Sequence, residues 1–181
     1  MYRNHKNKLK PYSILGIIFT VALGVPLHFA YEWSNYNSIV AFFSPVNEST
    51  WEHLKLLVFP MLIYSIFEYI KIGSRFDNYI IAKAIGIIVG MLSIIVLFYT
   101  YTGIIGTNYL ICDILIFVIS VIIAFWTNYR VLENKSFRGS IFQPIGVILI
   151  MLIIIAFMWF SFFPPKIALF KDPITMTYGI L

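Results

Sequence analysis

Two imidazoles and several carboxylates fall close together near the start of this 181-residue chain. His28 and Glu32 are four residues apart, so a helix that holds both puts them on one face. Glu48 and Glu52 have the same spacing and share a face if a helix begins by Glu48. His53 follows directly. Two such pairs on neighbouring helices can converge on one cation. Imidazole with carboxylate suits zinc, iron or manganese, whereas carboxylate alone suits calcium or magnesium. The divalent-metal set this spacing predicts is His28, Glu48 and Glu52. A metal there lowers the pKa of a bound water and permits hydrolysis. No fixed signature such as HExxH accompanies these residues. The other chemical reading is a metal-free ligand pocket, with His28, Glu32, Asn47, Glu48, Trp51, Glu52, His53 and Asp113 as candidates.

The same residues have a purely structural reading. Ser49 followed three residues later by Glu52 matches a capping box, in which serine oxygen and glutamate carboxylate each take a backbone donor of the first helical turn. Trp51 is then an aromatic anchor at a membrane interface. Asp113 is expected to pair with Lys55 or Lys171, or to join the outer cluster. Glu68 is expected to pair with Lys71 three residues on. Cys112 has no partner cysteine and reads as a small apolar residue.

The elements that must position these groups follow from composition. Hydrophobic residues make up 60% of the chain and charged residues 12%. A soluble domain carries about 45–50% apolar and about 25% charged residues. A soluble globule of this size cannot hide so much apolar surface. Disordered chains are poor in hydrophobics and rich in charge, so disorder is excluded too. The net charge of +5 does not indicate nucleic acid, because the basic residues are scattered between apolar runs. The expected fold is an all-α, polytopic membrane helix bundle forming a single domain over residues 1–181.

A helix needs roughly 20 mostly apolar residues to cross a bilayer. Segments 13–31, 54–72, 79–101, 109–127 and 141–163 qualify, leaving an outer loop at 32–53 and an outer tail at 164–181. The second is the weakest, since Lys55, Glu68, Lys71 and Pro60 interrupt it. Charge retains it. With five crossings, Arg3, Lys6, Lys8, Lys10, Lys71, Arg75, Lys83, Arg130, Lys135 and Arg138 lie on one side, and only Lys55, Lys166 and Lys171 on the other. The positive-inside rule then predicts a cytoplasmic N-terminus and an outer C-terminus in the cell membrane. The first span reads as uncleaved, because its apolar run is long and no good A-x-A site follows. Gly24 and Pro26 predict a kink in it. Ala82, Gly86 and Gly90 form a small-residue stripe, suited to packing inside the bundle or to homo-oligomer contact. The apolar tail with Pro164 and Pro165 is expected to lie along the outer face and close over the first loop.

Three stretches together carry a family resemblance: His28-Phe-Ala-Tyr-Glu-Trp-Ser34; Val46-Asn-Glu-Ser-Thr-Trp-Glu-His-Leu-Lys55 running to Phe59-Pro-Met61; and Phe163-Pro-Pro-Lys166 with Leu169-Phe-Lys-Asp-Pro173 and Tyr178-Gly-Ile180. They resemble a family of small bacterial integral membrane proteins defined as a domain of unknown function. The resemblance implies a bacterial, Firmicutes-type inner-membrane protein and supplies no activity. The residues themselves support a membrane protein that binds a small ligand, lipid or partner at an outer pocket. The alternative is a membrane-embedded, metal-dependent hydrolase or transferase at the outer leaflet. A channel or transporter would need an oligomer, because so few charges lie within the spans that one monomer offers no obvious polar path.

Overall fold

The computed structural model describes residues 2–134 and 137–180, with the backbone alone described for 2–8. The side chains of Arg3, Lys6 and Lys8, and all of Lys135, therefore lie outside the described residues. The chain forms seven helices among these residues: α1 (Tyr2–Trp33), α2 (Ser38–Ala41), α3 (Thr50–His53), α4 (Lys55–Lys71), α5 (Tyr79–Ile105), α6 (Leu110–Glu133) and α7 (Phe142–Phe162). Short 3₁₀ turns follow α4 and α7, and no strand occurs among the described residues. Five segments are long and apolar enough to span a membrane: Leu9–Trp33, Thr50–Lys71, Tyr79–Ile105, Leu110–Glu133 and Phe142–Phe162.

The second segment has the lowest mean hydropathy of the five and is also the most buried. Both facts have one cause. Residues 55–61 and one face of the rest of α4 are enclosed by protein, so this helix supplies the core and can carry polar groups that find partners there, while Ile63, Ile66, Phe67 and Ile70 give its second half an exposed apolar face. Leu54, Leu57, Val58 and Met61 pack with Phe125 of α6 and Phe157 of α7. α3 and α4 run on through Leu54, so this span begins four residues earlier than the sequence predicts.

Close backbone approach sets the rest of the packing. A Cβ on Gly86 would lie 2.8 Å from the Ala124 carbonyl oxygen, and one on Gly90 2.8 Å from the Ala124 Cβ. The stripe of Ala82, Gly86 and Gly90 is thus buried within the chain, with α6 covering its two glycines. α1 is continuous through Pro11 and Pro26. Gly106, at φ +86°, ends α5 in the left-handed cap that glycine adopts without strain, its N–H donating to Thr102 at 2.8 Å.

The loop after α1 and the chain after α7 form a cap on one end of the bundle. The Asn47 amide donates to the Gly179 carbonyl at 3.0 Å, and the Ile180 N–H to the Ser161 carbonyl at 3.0 Å. Phe170 stacks on Trp51 with ring centroids 4.8 Å apart. The tail therefore folds back over the first loop, as its apolar composition predicts.

Candidate functional site

The cap is organised by two polar groups that point in opposite directions from one short segment. α3 starts at Thr50, with Ser49 as its N-cap accepting from the Glu52 N–H at 3.4 Å. The reciprocal half of the expected capping box is replaced: the Ser49 N–H donates to Asn47 Oδ1 at 2.9 Å. Because the helix begins after Glu48, Glu48 and Glu52 do not share a face. Glu48 turns outward and Glu52 turns into the bundle.

Inside, Glu52 meets Lys55 and Ser161. All three are essentially inaccessible to solvent. Lys55 Nζ lies 2.5 Å from Glu52 Oε2, 2.7 Å from Ser161 Oγ, 2.8 Å from the Ala41 carbonyl and 3.2 Å from the Ser44 carbonyl. The Ser161 hydroxyl reaches Glu52 Oε1 at 2.7 Å, and the Val46 N–H donates to Glu52 Oε2 at 3.1 Å. A buried ion pair of this kind offsets its desolvation only when the remaining donors and acceptors are satisfied. Here they are, by groups from the first loop, α3, α4 and α7. The cluster is a structural pin, and it removes Glu52 from the predicted metal set.

Outside, His28, Glu48 and His53 converge. His28 Nε2 lies 3.1 Å from His53 Nε2, and Glu48 Oε2 lies 3.4 Å from His53 Nε2 and 3.8 Å from His28 Nε2. A triangle with these sides has a point about 2.0 Å from all three atoms, which is the bond length zinc makes to imidazole and carboxylate. His53 Nδ1 sits 2.9 Å from the Ser49 carbonyl. A carbonyl can only accept, so that contact favours a proton on Nδ1, the arrangement in which Nε2 can serve as a metal ligand. The three residues form the one group of at least three such ligands found among the described residues. Contact with the His53 imidazole holds the Glu48 carboxyl below its usual range, outweighing its burial.

Two cavities adjoin the cluster, and Glu48 and Ile174 line both. One, of about 340 Å³, carries the polar side chains of His28, Glu32, Asn47 and Asp172 among apolar ones. The other, of about 320 Å³, includes His53, Asn108 and Asp113 above an apolar floor. Asp172 shapes the tail wall by accepting from the Ile174 N–H at 2.7 Å and the Thr175 N–H at 3.2 Å. Burial raises this carboxyl, but the amide donors outweigh it and hold it below the usual range.

The remaining predicted residues separate. Glu32 is exposed and lines the first of these cavities without joining the triangle. Asn47 clasps the tail. Trp51 lies among Phe157, Phe160 and Phe170, with centroids 4.8–5.5 Å away. Asp113 does not pair with Lys55; it accepts from the Tyr101 hydroxyl and from the Asn108 amide at 2.9 Å. Glu68 does not pair with Lys71. It is buried against Lys83 of α5 and accepts from the Tyr79 hydroxyl at 2.8 Å. Sequence reasoning missed Ser161 and Lys83 as partners, because both lie on distant helices. A lysine within an otherwise apolar run was the available signal.

Helical spans of membrane length around a polar, capped end define a polytopic helical protein of the membrane-spanning type. Residues 1–180 match a family model described as a family of unknown function (DUF6512), and the chain belongs to that family. No curated protein and no solved structure matches the chain significantly.

Proposed function

We propose that this protein is a multi-pass protein of a bacterial cell membrane that binds a divalent transition-metal cation at its extracytoplasmic end. His28, Glu48 and His53 hold the cation, and the adjoining cavities admit a small ligand to its open coordination position. The single observation that carries this reading is the His28–Glu48–His53 triangle, whose sides fit one metal ion. The outward orientation of the capped end rests on the basic residues gathered at the other end, including Lys10, Lys71, Arg75, Arg130 and Arg138.

A second reading, a metal-dependent hydrolase or transferase, is favoured by the donor set. Two histidines and a glutamate with a vacant fourth position make up a common catalytic zinc arrangement. The first test is elemental analysis of protein purified without chelator. The expected result is about one zinc per chain, lost in His28→Ala and His53→Ala, with wild-type thermal stability falling on chelation. Protein that retains no zinc and ignores chelator removes both readings. Metal-dependent cleavage of a medium-chain ester then separates enzyme from binder.

A further inference from the structure

The cavity beside His53 is built in two halves. Its mouth carries Glu48, His53, Asn108 and Asp113, and its floor is Leu56, Ile94, Phe98, Ile116 and Phe117 from α4, α5 and α6. A site for a small polar solute has no use for such a floor, since uncovered apolar surface there only orders water. The volume of about 320 Å³ lies at the lower end of the range for small-molecule sites. Asp113 already has the Tyr101 hydroxyl and the Asn108 amide as donors, one on each carboxylate oxygen. A divalent cation at the triangle, with Glu48 as its one ionised ligand, keeps one positive charge within its coordination shell and an open position.

Resting on the metal reading above, we propose that the ligand is an amphiphile. A singly charged oxyanion head, carboxylate or phosphodiester, binds the cation at His28, Glu48 and His53. Its hydrocarbon chain lies on the floor formed by Ile94, Phe98, Ile116 and Phe117. Glu48 and His53 line the same cavity as these side chains, so head and chain fit one continuous space. The head supplies orientation and the chain supplies affinity, at roughly 0.8 kcal/mol per buried methylene.

The test uses the full chain in phosphatidylcholine nanodiscs loaded with Co²⁺, whose visible absorption reports the oxygen and nitrogen ligands directly. Metal is titrated first, without amphiphile. Acetate and octanoate are then compared, with phosphatidylglycerol nanodiscs as the arm for a membrane-lipid head. The expected result is a cobalt spectrum in wild type, perturbed by octanoate at a concentration at least tenfold below that of acetate. Ile116→Trp, which fills the floor, keeps the cobalt spectrum and the acetate response and loses the octanoate advantage. Phe98→Trp serves the same purpose should Ile116→Trp fold poorly. A spectrum already perturbed in phosphatidylglycerol discs, and not in Ile116→Trp there, identifies a membrane lipid as the source of the head. A cobalt spectrum with equal responses to acetate and octanoate overturns the amphiphile and leaves the metal site standing. An octanoate advantage that survives both tryptophan variants is bilayer partitioning and overturns it as well. Absence of any cobalt spectrum overturns the metal site and the amphiphile together.

Discussion

Glu48 and Glu52 sit four residues apart and have opposite fates. Glu52 enters a closed set of partners in which carboxylate, ammonium and hydroxyl satisfy one another with no access for solvent. Glu48 remains partly exposed, beside two imidazoles that meet in a single Nε2–Nε2 contact of 3.1 Å and are not enclosed by further partners. A saturated polar cluster holds a fold together and has no capacity left for a ligand. An unsaturated one, kept in place by its neighbours, has that capacity. The pin is what makes the site possible: it ties the first loop, α4 and α7 together just behind the triangle, so that Glu48 and His53 are presented from a fixed segment.

The sharpest way to break the comparison is to remove half of the pin. Lys55→Met leaves Glu52 buried without its counter-charge and should destabilise the protein by about 3–5 kcal/mol. The double variant Glu52→Gln/Lys55→Met should recover much of that loss, measured by thermal unfolding in detergent. At the triangle the order reverses. His53→Ala should change the stability of metal-free protein by no more than about 1 kcal/mol, as expected for a partly exposed side chain that gives up one backbone hydrogen bond. Zinc at 100 times its dissociation constant should add about 2.7 kcal/mol to wild type and nothing to His53→Ala.

Much of this architecture is readable from composition and spacing, and the limits are instructive. The spans follow from apolar length, and the tail's position over the first loop follows from its prolines and hydrophobic side chains. His28 with Glu48 is visible as a candidate metal pair. His53 is visible only as one of several pocket candidates, because preferring it to Glu52 depends on where α3 begins. That start is decided by Ser49 and Asn47 rather than by the four-residue spacing. The partners of Glu68 and Lys55 are equally hidden. Ser161 and Lys83 are brought to them by helix packing across the bundle, and local spacing points instead to Lys71 and to a simple cap. The low hydropathy of α4, which weakens it as a span in the sequence, marks it in the structure as the helix most surrounded by protein.

Smaller effects sharpen the picture of the cap. Asn47→Ala removes the amide that holds Gly179 and should cost about 1 kcal/mol, with faster amide exchange at Ile180. Asp172 extends the same logic to pH. Its folded carboxyl lies below its usual value of 3.8, so its contribution to the tail is present above that value and is lost as pH falls through the lowered one. Exchange at the Ile174 and Thr175 amides should therefore quicken, relative to the intrinsic rate, only in acid. In Asp172→Asn that acid dependence should disappear.

In the proposed site, His28, Glu48 and His53 are the ligands of one metal ion. X-ray absorption at the zinc edge of the purified protein tests it most directly. The expected spectrum shows two imidazoles and additional oxygen at about 2.0–2.1 Å, with one imidazole fewer in His28→Ala reloaded with excess zinc. Zinc bound without imidazole in its first coordination sphere, or with two imidazoles that persist in His28→Ala, would contradict it.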